Sequence, residues 1–379
     1  MYTDVVIAGA GTSHFGKQDA SLERLAWDAV TEALESSATA PDEIDAVVVG
    51  TVFSHPGVAH RVLRAAGIAG VPIITVENAC ASGTLAAHSA FEYVHRGQYA
   101  TVLALGIEKM SDSISGAIPS DPGDLDGASG LALPAMYAMT AQRYMHEHGV
   151  TVEQLAAVSV KNHEHAIANP RAQYSRSYSI DQVLESRMIA DPLTILQCSP
   201  ISDGAAAAVV RRSRSSDGDN VIRVLASTLE SGSPWPAPDG HVWNFELIQR
   251  AADRVYAAAG LTAQQVDVFE IHDAFTIGEI VTIEALGISP AGKGAHAAVD
   301  GTTWRAGVST VNPSGGLLSR GHPLGATGMA QVAEIYWQLT GQAGRRQISG
   351  ARTGVVETMG GNVTGLNGNG CVVIALQAA

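Results

Sequence analysis

Residues 71–97 read VPIITVENACASGTLAAHSAFEYVHRG, and the class of the chain follows from the order of residue types along them. The β-branched run up to Val76 predicts a strand. A corner of small residues follows, Ala79 to Gly83, and the Ala-rich stretch carrying Phe91 and Tyr93 then reads as a helix. The same alternation recurs on either side. DVVIAG (4–9) precedes the helical stretch SLERLAWDAVTEALES (21–36), EIDAVVVG (43–50) is a second β-like run, and TVLALGIEKMS (101–111) is a further strand with its exit loop. β-Branched runs alternating with helical periodicity predict a layered α/β fold.

The second half echoes the first. AAAGLTAQQVDVFEIHDAF (257–275) mirrors SSATAPDEIDAVVVGTVF (36–53) with Asp267 on Asp45, and STVNPSGG (309–316) mirrors ITVENACASG (74–83) with Asn312 on Asn78. Two matches in the same order point to an internal duplication and to two similar α/β halves packed together. From about 112 to 220 the chain reads differently. A Gly/Asp-rich loop, DPGDLDGASG (121–130), leads into helices studded with Met136, Tyr137, Met139, Tyr144 and Met145, which suggests a cap or insertion; SDGAAAAVVRR (202–212) then enters another strand. The expected organisation is an N-terminal half of residues 1–112 and 203–250, an inserted loop/cap region of 113–202, and a C-terminal half of 251–379.

The formal charge of −14, from 37 acidic and 23 basic residues with only four lysines, argues against nucleic acid as a partner, because a phosphate backbone demands a basic footprint. An anionic small molecule is still compatible with local arginines or helix N-termini. Glycine (40 residues) and a low aromatic content of 5% favour closely approaching helices and strands. The three cysteines, Cys80, Cys198 and Cys371, form no C-x-x-C pair and fit a reduced, cytoplasmic chain. The opening MYTDVVIAGAG resembles a first strand rather than a secretory leader or a membrane span, and CVVIALQAA carries no terminal targeting tripeptide, so membrane insertion is not expected.

Four stretches carry the chemistry. Cys80, in VENACASGT, is either a buried, inert cysteine or a nucleophile presented at a strand-to-helix corner, where the helix N-terminus lowers the thiol pKa and backbone N–H groups face a developing oxygen. His322 stands between Gly321 and Pro323, ahead of Gly325-Ala-Thr-Gly328; it is a base or imidazolium partner for Cys80, or a loop-stabilising residue. In FEIHDAFTIGEI, His272 is placed to donate to an oxyanion, against capping or metal ligation, and Asp273 to orient a loop or cap a helix. The run ETMGGNVTGLNGNGCVVIAL (357–376) has glycines at 360, 361, 365, 368 and 370, which allow backbone close to a ligand and an N–H to complete an oxyanion hole; Cys371 beyond them reads mainly as packing.

Together these stretches resemble the thiolase superfamily over essentially the whole chain. The resemblance rests on NACASG (78–83), GIEKMS (106–111), CSPISDGAAA (198–207), HDAF (272–275) and NPSGG…GHPLGATG (312–328). HDAF is similar to the sterol-carrier-type branch, often described as lipid-transfer proteins. The resemblance implies the thiolase fold: duplicated α/β halves in a layered α-β-α-β-α core with an inserted loop/helical domain. It implies that Cys80 becomes acylated, that His322 activates it, and that His272 helps hold the thioester oxygen, with Gly365 and Asn312 as oxyanion or glycine-loop residues. It further implies acyl-CoA as substrate, coenzyme A as cosubstrate with no metal, and a homodimer or tetramer.

One departure matters. Thiolases use a second cysteine as proton shuttle, and here the two places where it would stand hold Ala274 and Thr364, with Cys371 falling too late. The leading expectation is a thiolase-like acyltransferase acting on acyl-CoA or 3-oxoacyl-CoA, with His322, a substrate group, water, His163 or Tyr174 replacing the missing shuttle. The alternative is retro-aldol cleavage of a branched 3-hydroxyacyl-CoA, or a subunit working with a small zinc-ribbon/OB-fold partner protein. A noncatalytic lipid binder is a third class, disfavoured because a binder has no use for Cys80 opposite His322. Arg176, Arg187 and Arg223 are candidate phosphate contacts.

Overall fold

The computed structural model describes residues 2, 4–235 and 240–379. The chain begins as an alternating series: β1 (Val5–Thr12), α1 (Leu22–Ser37), β2 (Ala46–Gly50), α2 (Val58–Ala65), β3 (Ile73–Val76), α3 (Ser82–His95) and β4 (Thr101–Lys109). A mainly helical segment follows: α4 (Leu125–Ala128), α5 (Leu133–His148), α6 (Val152–Ala166), α7 (Ile180–Leu184) and the short pair β5 (Met188–Ala190) and β6 (Leu193–Thr194). β7 (Asp203–Arg212) and β8 (Ile222–Ser231) return the chain to the main sheet. Then come α8 (Phe245–Ala259), β9 (Val268–Glu270), α9 (Thr276–Ala285), α10 (Gly294–Val299), β10 (Thr310–Val311), α11 (Gly316–Arg320), α12 (Leu324–Leu339), β11 (Thr353–Gly360) and β12 (Gly370–Ala378).

Ten strands form one sheet in the order β10-β9-β11-β12-β8-β1-β7-β4-β2-β3. Read outward from the centre, β8-β12-β11-β9-β10 repeats β1-β7-β4-β2-β3 in the same order and with the same strand senses, parallel in the outer pairs and antiparallel in the inner ones. The repeat extends to single hydrogen bonds. Asp45 Oδ2 accepts from Ala100 N (3.0 Å) and Thr101 N (2.9 Å), and Asp267 Oδ2 accepts from Arg352 N (2.8 Å) and Thr353 N (2.9 Å). The two halves are joined into one sheet through β1 and β8, by the pairs Val6–Arg223 and Ile7–Ile222.

Strand side chains alternate between two faces, and each face meets a different helical layer. On β4, Leu103, Leu105 and Ile107 pack in the cluster with α1 and α2, while Val102 and Ala104 pack in the central cluster. On β12, Val372, Ile374 and Leu376 face that same central cluster, and Cys371, Val373 and Ala375 face α8, α9 and the helices between β4 and β7. The layers are therefore α-β-α-β-α, with α3 and α12 in the middle. These central helices approach unusually closely: a Cβ on Gly83 would fall 2.7 Å from Met329 N, and one on Gly328 would fall 2.4 Å from Thr84 N. Every residue of α12 is buried, so its polar side chains need internal partners. Gln331 Nε2 donates to Glu357 O (3.1 Å), and Glu334 pairs with Arg346 at 2.8 Å. The helices between β4 and β7 cover the outer face of the second half, where Tyr137, Ala141 and Tyr144 of α5 and Leu155 and Val158 of α6 join the core. No helix among the described residues is long and apolar enough to cross a membrane.

Candidate active site

Cys80 sits in the turn Ala79–Ala81 between β3 and α3. The turn is built by local polar contacts: Ser82 Oγ accepts from Asn78 N (2.9 Å) and donates to Ala79 O (2.7 Å), and Glu77 Oε1 accepts from Ala79 N (2.6 Å). Ala79 is held at φ 44°, a left-handed conformation that costs a non-glycine residue energy and that recurs at functional sites. Met110, Ile114 and Leu324 pack against the sulfur, and Val52, Phe53 and Ile201 close the cluster. This apolar surround decides against a depressed thiol pKa. Burial pushes Cys80 up to about 12; the N–H groups of Gly361 and of Cys80 itself pull the other way but do not offset it, and Glu77 and Glu108 raise it further. The resting group is a thiol and needs a base.

Two imidazoles face it. One ligand atom from each of Cys80, His272 and His322 lies within 4.8 Å of the others, and all three residues are buried. The His272 and His322 rings meet edge-on, with centroids 5.4 Å apart. His322 is held by Ser202 Oγ, which accepts from its backbone N (2.9 Å), and by Thr327 Oγ1, 2.7 Å from Nδ1. Burial, then His272 and Arg320, keep the His322 pKa well below the ordinary imidazole range, so the ring is neutral and able to accept a proton. Burial lowers His272 to about 3, and its Nε2 is buried without a hydrogen-bond partner. Three such donor atoms could also hold a metal ion.

The surroundings complete the site. Glu357 of β11 accepts from His272 N (3.0 Å) and lies 3.6 Å from Cys371 Sγ; burial lifts its pKa to about 7. The Gly361 N–H is directed at Cys80 from a backbone at φ 60°. Tyr137 of α5 stacks on Phe275 at 4.3 Å and lies close enough to Cys80 and Glu357 for both charges to raise its phenol pKa, burial being the larger cause. Glu108, at the end of β4, gathers Val52 N (2.8 Å), Phe53 N (3.1 Å) and Gly325 N (3.2 Å), tying the edge of the Cys80 cluster to the start of α12.

The Thiolase, N-terminal domain family matches residues 5–214, and the Thiolase C-terminal domain-like family matches residues 239–367. The chain belongs to the thiolase family. Acetyl-CoA acetyltransferase of Methanothermobacter thermautotrophicus is 40% identical to this thiolase over 370 residues, covering 94% of this chain and 96% of that one. Human sterol carrier protein 2 is 37% identical, covering 94% of this chain and 70% of its own, which places the thiolase in the sterol-carrier-type branch. Among solved structures, the Ltp2-ChsH2(DUF35) aldolase matches with a TM-score of 0.84 at 25% identity, covering 99% of this chain and 98% of that chain.

Other residues named from the sequence lie elsewhere in this thiolase. Asn312 is fully buried at φ 54°, with Oδ1 accepting from Ile271 N (2.8 Å) and Nδ2 donating to Glu279 Oε2 (3.1 Å); its side chain braces the strand leading into His272 rather than reaching for an oxyanion. Gly365 lies on an exposed turn where its carbonyl accepts from Trp235 N (2.9 Å), and Gly361 supplies the loop amide at the sulfur instead. Thr364 Oγ1 donates to Asp124 Oδ2 (2.7 Å) and accepts from Asp126 N (2.9 Å), strapping the start of α4 to the glycine loop. Asp273 accepts from Leu317 N (2.7 Å) and Leu318 N (3.3 Å), orienting α11. His163 is occupied by Ser159 O at 2.9 Å and stacks on Tyr174. Arg223 donates to Gln377 Oε1 (2.7 Å), Arg176 covers the Tyr178 ring, and Arg187 is exposed. Sequence reasoning missed Glu357 and Tyr137: an isolated acid in a β run and one of several aromatics in a Met-rich helix carry no local signal.

Proposed function

We propose that this thiolase transfers acyl groups from acyl-CoA or 3-oxoacyl-CoA through an acyl-cysteine at Cys80. The observation that carries the reading is the convergence of a buried thiol with two buried imidazoles, one ligand atom of each lying within 4.8 Å of the others; burial favours the neutral form of all three. Cys80 Sγ attacks the substrate carbonyl while its proton passes to His322 Nε2. The S–C bond forms, the carbonyl electrons move to oxygen, and His272 Nε2 with the N–H groups of Gly361 and Cys80 hold that oxyanion. Collapse breaks the bond to the leaving group. With acyl-CoA, the departing CoA sulfur takes the proton back from His322; with 3-oxoacyl-CoA, a C–C bond breaks and the leaving carbon takes it. His322 thus covers the proton transfer for which the family uses a second cysteine. Coenzyme A is the accepting cosubstrate, no step calls for a metal, and the assembly is a cytoplasmic homodimer or tetramer.

A second reading, retro-aldol cleavage of a branched 3-hydroxyacyl-CoA beside a small zinc-ribbon/OB-fold partner protein, is favoured by the likeness to the Ltp2-ChsH2(DUF35) aldolase and by Ala274 at a shuttle position. Product analysis separates the two. Incubation of 3-oxoacyl-CoA with free CoA should give a shortened acyl-CoA in a CoA-dependent reaction that disappears in Cys80→Ala. A CoA-independent release of free aldehyde or ketone from a 3-hydroxyacyl-CoA, unchanged in that variant, would support the second reading and remove the first.

A further inference from the structure

A narrow cavity opens beside His272, walled by Tyr137, Trp243, Ile277, Val281 and Met359. It has room for little more than one small group. Three residues lining it are buried to 3%, 2% and 5% exposure, and each carries a polar atom without a hydrogen-bond partner: His272 Nε2, Trp243 Nε1 and Asn244 Oδ1. Orphan atoms of this kind are rare in folded proteins and cost about 1–3 kcal/mol each when left unmade. The geometry around them is fixed. Trp243 meets the Tyr137 ring edge-on at 5.3 Å, Asn244 N donates to Asn367 Oδ1 (2.6 Å), and Asn244 is held at φ 80°. On the Asn244 side chain, Oδ1 is the end without a partner.

If His272 Nε2 serves the thioester oxygen, the remaining pair is one donor, the Trp243 indole N–H, and one acceptor, Asn244 Oδ1. A group that meets both must accept one hydrogen bond and donate another. An ammonium cannot accept from the indole, a ketone leaves Asn244 unpaired, and a methyl leaves both unpaired. A carboxylate cannot donate, and no lysine or arginine lines the cavity to compensate its charge. A hydroxyl accepts with one lone pair and donates with its proton. We infer that Trp243 and Asn244 form a specificity site for a hydroxyl carried on a short acyl chain, so that hydroxyacyl-CoA thioesters are the favoured substrate class. This rests on acylation of Cys80 as proposed above.

The test compares isosteric acyl-CoA pairs that differ only in hydroxyl against methyl: hydroxyacetyl-CoA with propionyl-CoA, and 3-hydroxypropionyl-CoA with butyryl-CoA. The readout is the rate of Cys80 acylation for each member, expressed as a ratio within one protein preparation so that partial misfolding cancels. The wild-type ratio should favour the hydroxyl member of at least one pair by about 10- to 100-fold, the discrimination expected from one or two unpaired buried groups. Trp243→Phe, which removes only the N–H, and Asn244→Gly, which suits the positive φ, should each bring the ratio close to one. Equal or better acylation by the methyl members in the wild-type protein would show that the cavity serves water alone, and would overturn the inference while leaving Cys80 acyl transfer standing. An unchanged ratio in both variants would equally overturn it, and no acylation by any of the four would remove the proposed function with it.

Discussion

His322 Nδ1 lies 2.7 Å from Thr327 Oγ1, and the single proton of that hydroxyl is directed at Pro323 O, 2.9 Å away. Thr327 therefore accepts from the ring, which places the imidazole proton on Nδ1 and leaves Nε2 bare for the thiol. Thr327→Val keeps the shape and removes the acceptor. Acylation of Cys80 should fall about 5- to 10-fold, equivalent to one net hydrogen bond of about 1–1.4 kcal/mol, with KM for acyl-CoA unchanged. A pre-steady-state acylation rate equal to wild type would show that this bond does not set the tautomer.

The loop amide gives a paired comparison. A Cβ on Gly361 would fall 2.7 Å from Asn369 Nδ2 and 3.1 Å from Ala79 Cβ, while one on Gly365 would meet nothing within 4 Å. Gly361→Ala should displace the N–H from Cys80 and lower kcat by about 100-fold, the usual cost of one oxyanion donor. Gly365→Ala should leave kcat within about twofold and cost only ~1 kcal/mol of stability for its positive φ. Steady-state kinetics on the two variants check this, and equal losses would reassign the donor.

The thiol sets a pH dependence. Because burial lifts Cys80 to about 12, the thiolate fraction should go on rising with pH through the alkaline range. Iodoacetamide alkylation of Cys80, followed by peptide mass spectrometry, should still be rising steeply between about pH 10 and 11, where a free cysteine, with a pKa of about 8.5, has levelled off. Acylation by acyl-CoA should instead be nearly flat from pH 6 to 9, because His322 is neutral throughout and is lost as a base only when acid protonates it.

The middle of the molecule should tolerate little. A Cβ on Gly83 would fall 2.7 Å from Met329 N and 2.8 Å from Gly325 O, both backbone atoms that cannot step aside. Gly83→Ala should destabilise the fold by about 1–3 kcal/mol through overpacking of α3 on α12, measured by denaturant unfolding. An unchanged midpoint would mean that the two helices have slack between them.

Much of this was legible in the sequence because strand, corner and helix each have a local signature. VPIITV, the small-residue corner and the Ala-rich helix place Cys80 between β3 and α3, and the Asp45/Asp267 match reappears as two equivalent carboxylate clamps. Cys80, His272 and His322 were named from loops far apart in the chain, and the fold draws them within 4.8 Å. What was not legible depends on three dimensions. The corner reads equally as a buried cysteine or as one acidified by its helix, and what decides for burial is not local: Met110, Ile114 and Leu324 come from other segments and desolvate it. Five glycines in one loop look alike in sequence, and only the backbone course shows that Gly361, not Gly365, faces the sulfur. The joining of both halves into a single sheet rests on two residue pairs between β1 and β8, too few to leave a pattern.

The most direct measurement is the intact mass of the protein after brief mixing with an acyl-CoA and acid quench. The wild-type chain should gain one acyl group, mapped by peptide analysis to Cys80, with His322→Ala slowing its appearance by about 10²- to 10⁴-fold and Cys80→Ala abolishing it. Turnover of the same acyl-CoA with no adduct on Cys80, or with full activity in Cys80→Ala, would contradict the account.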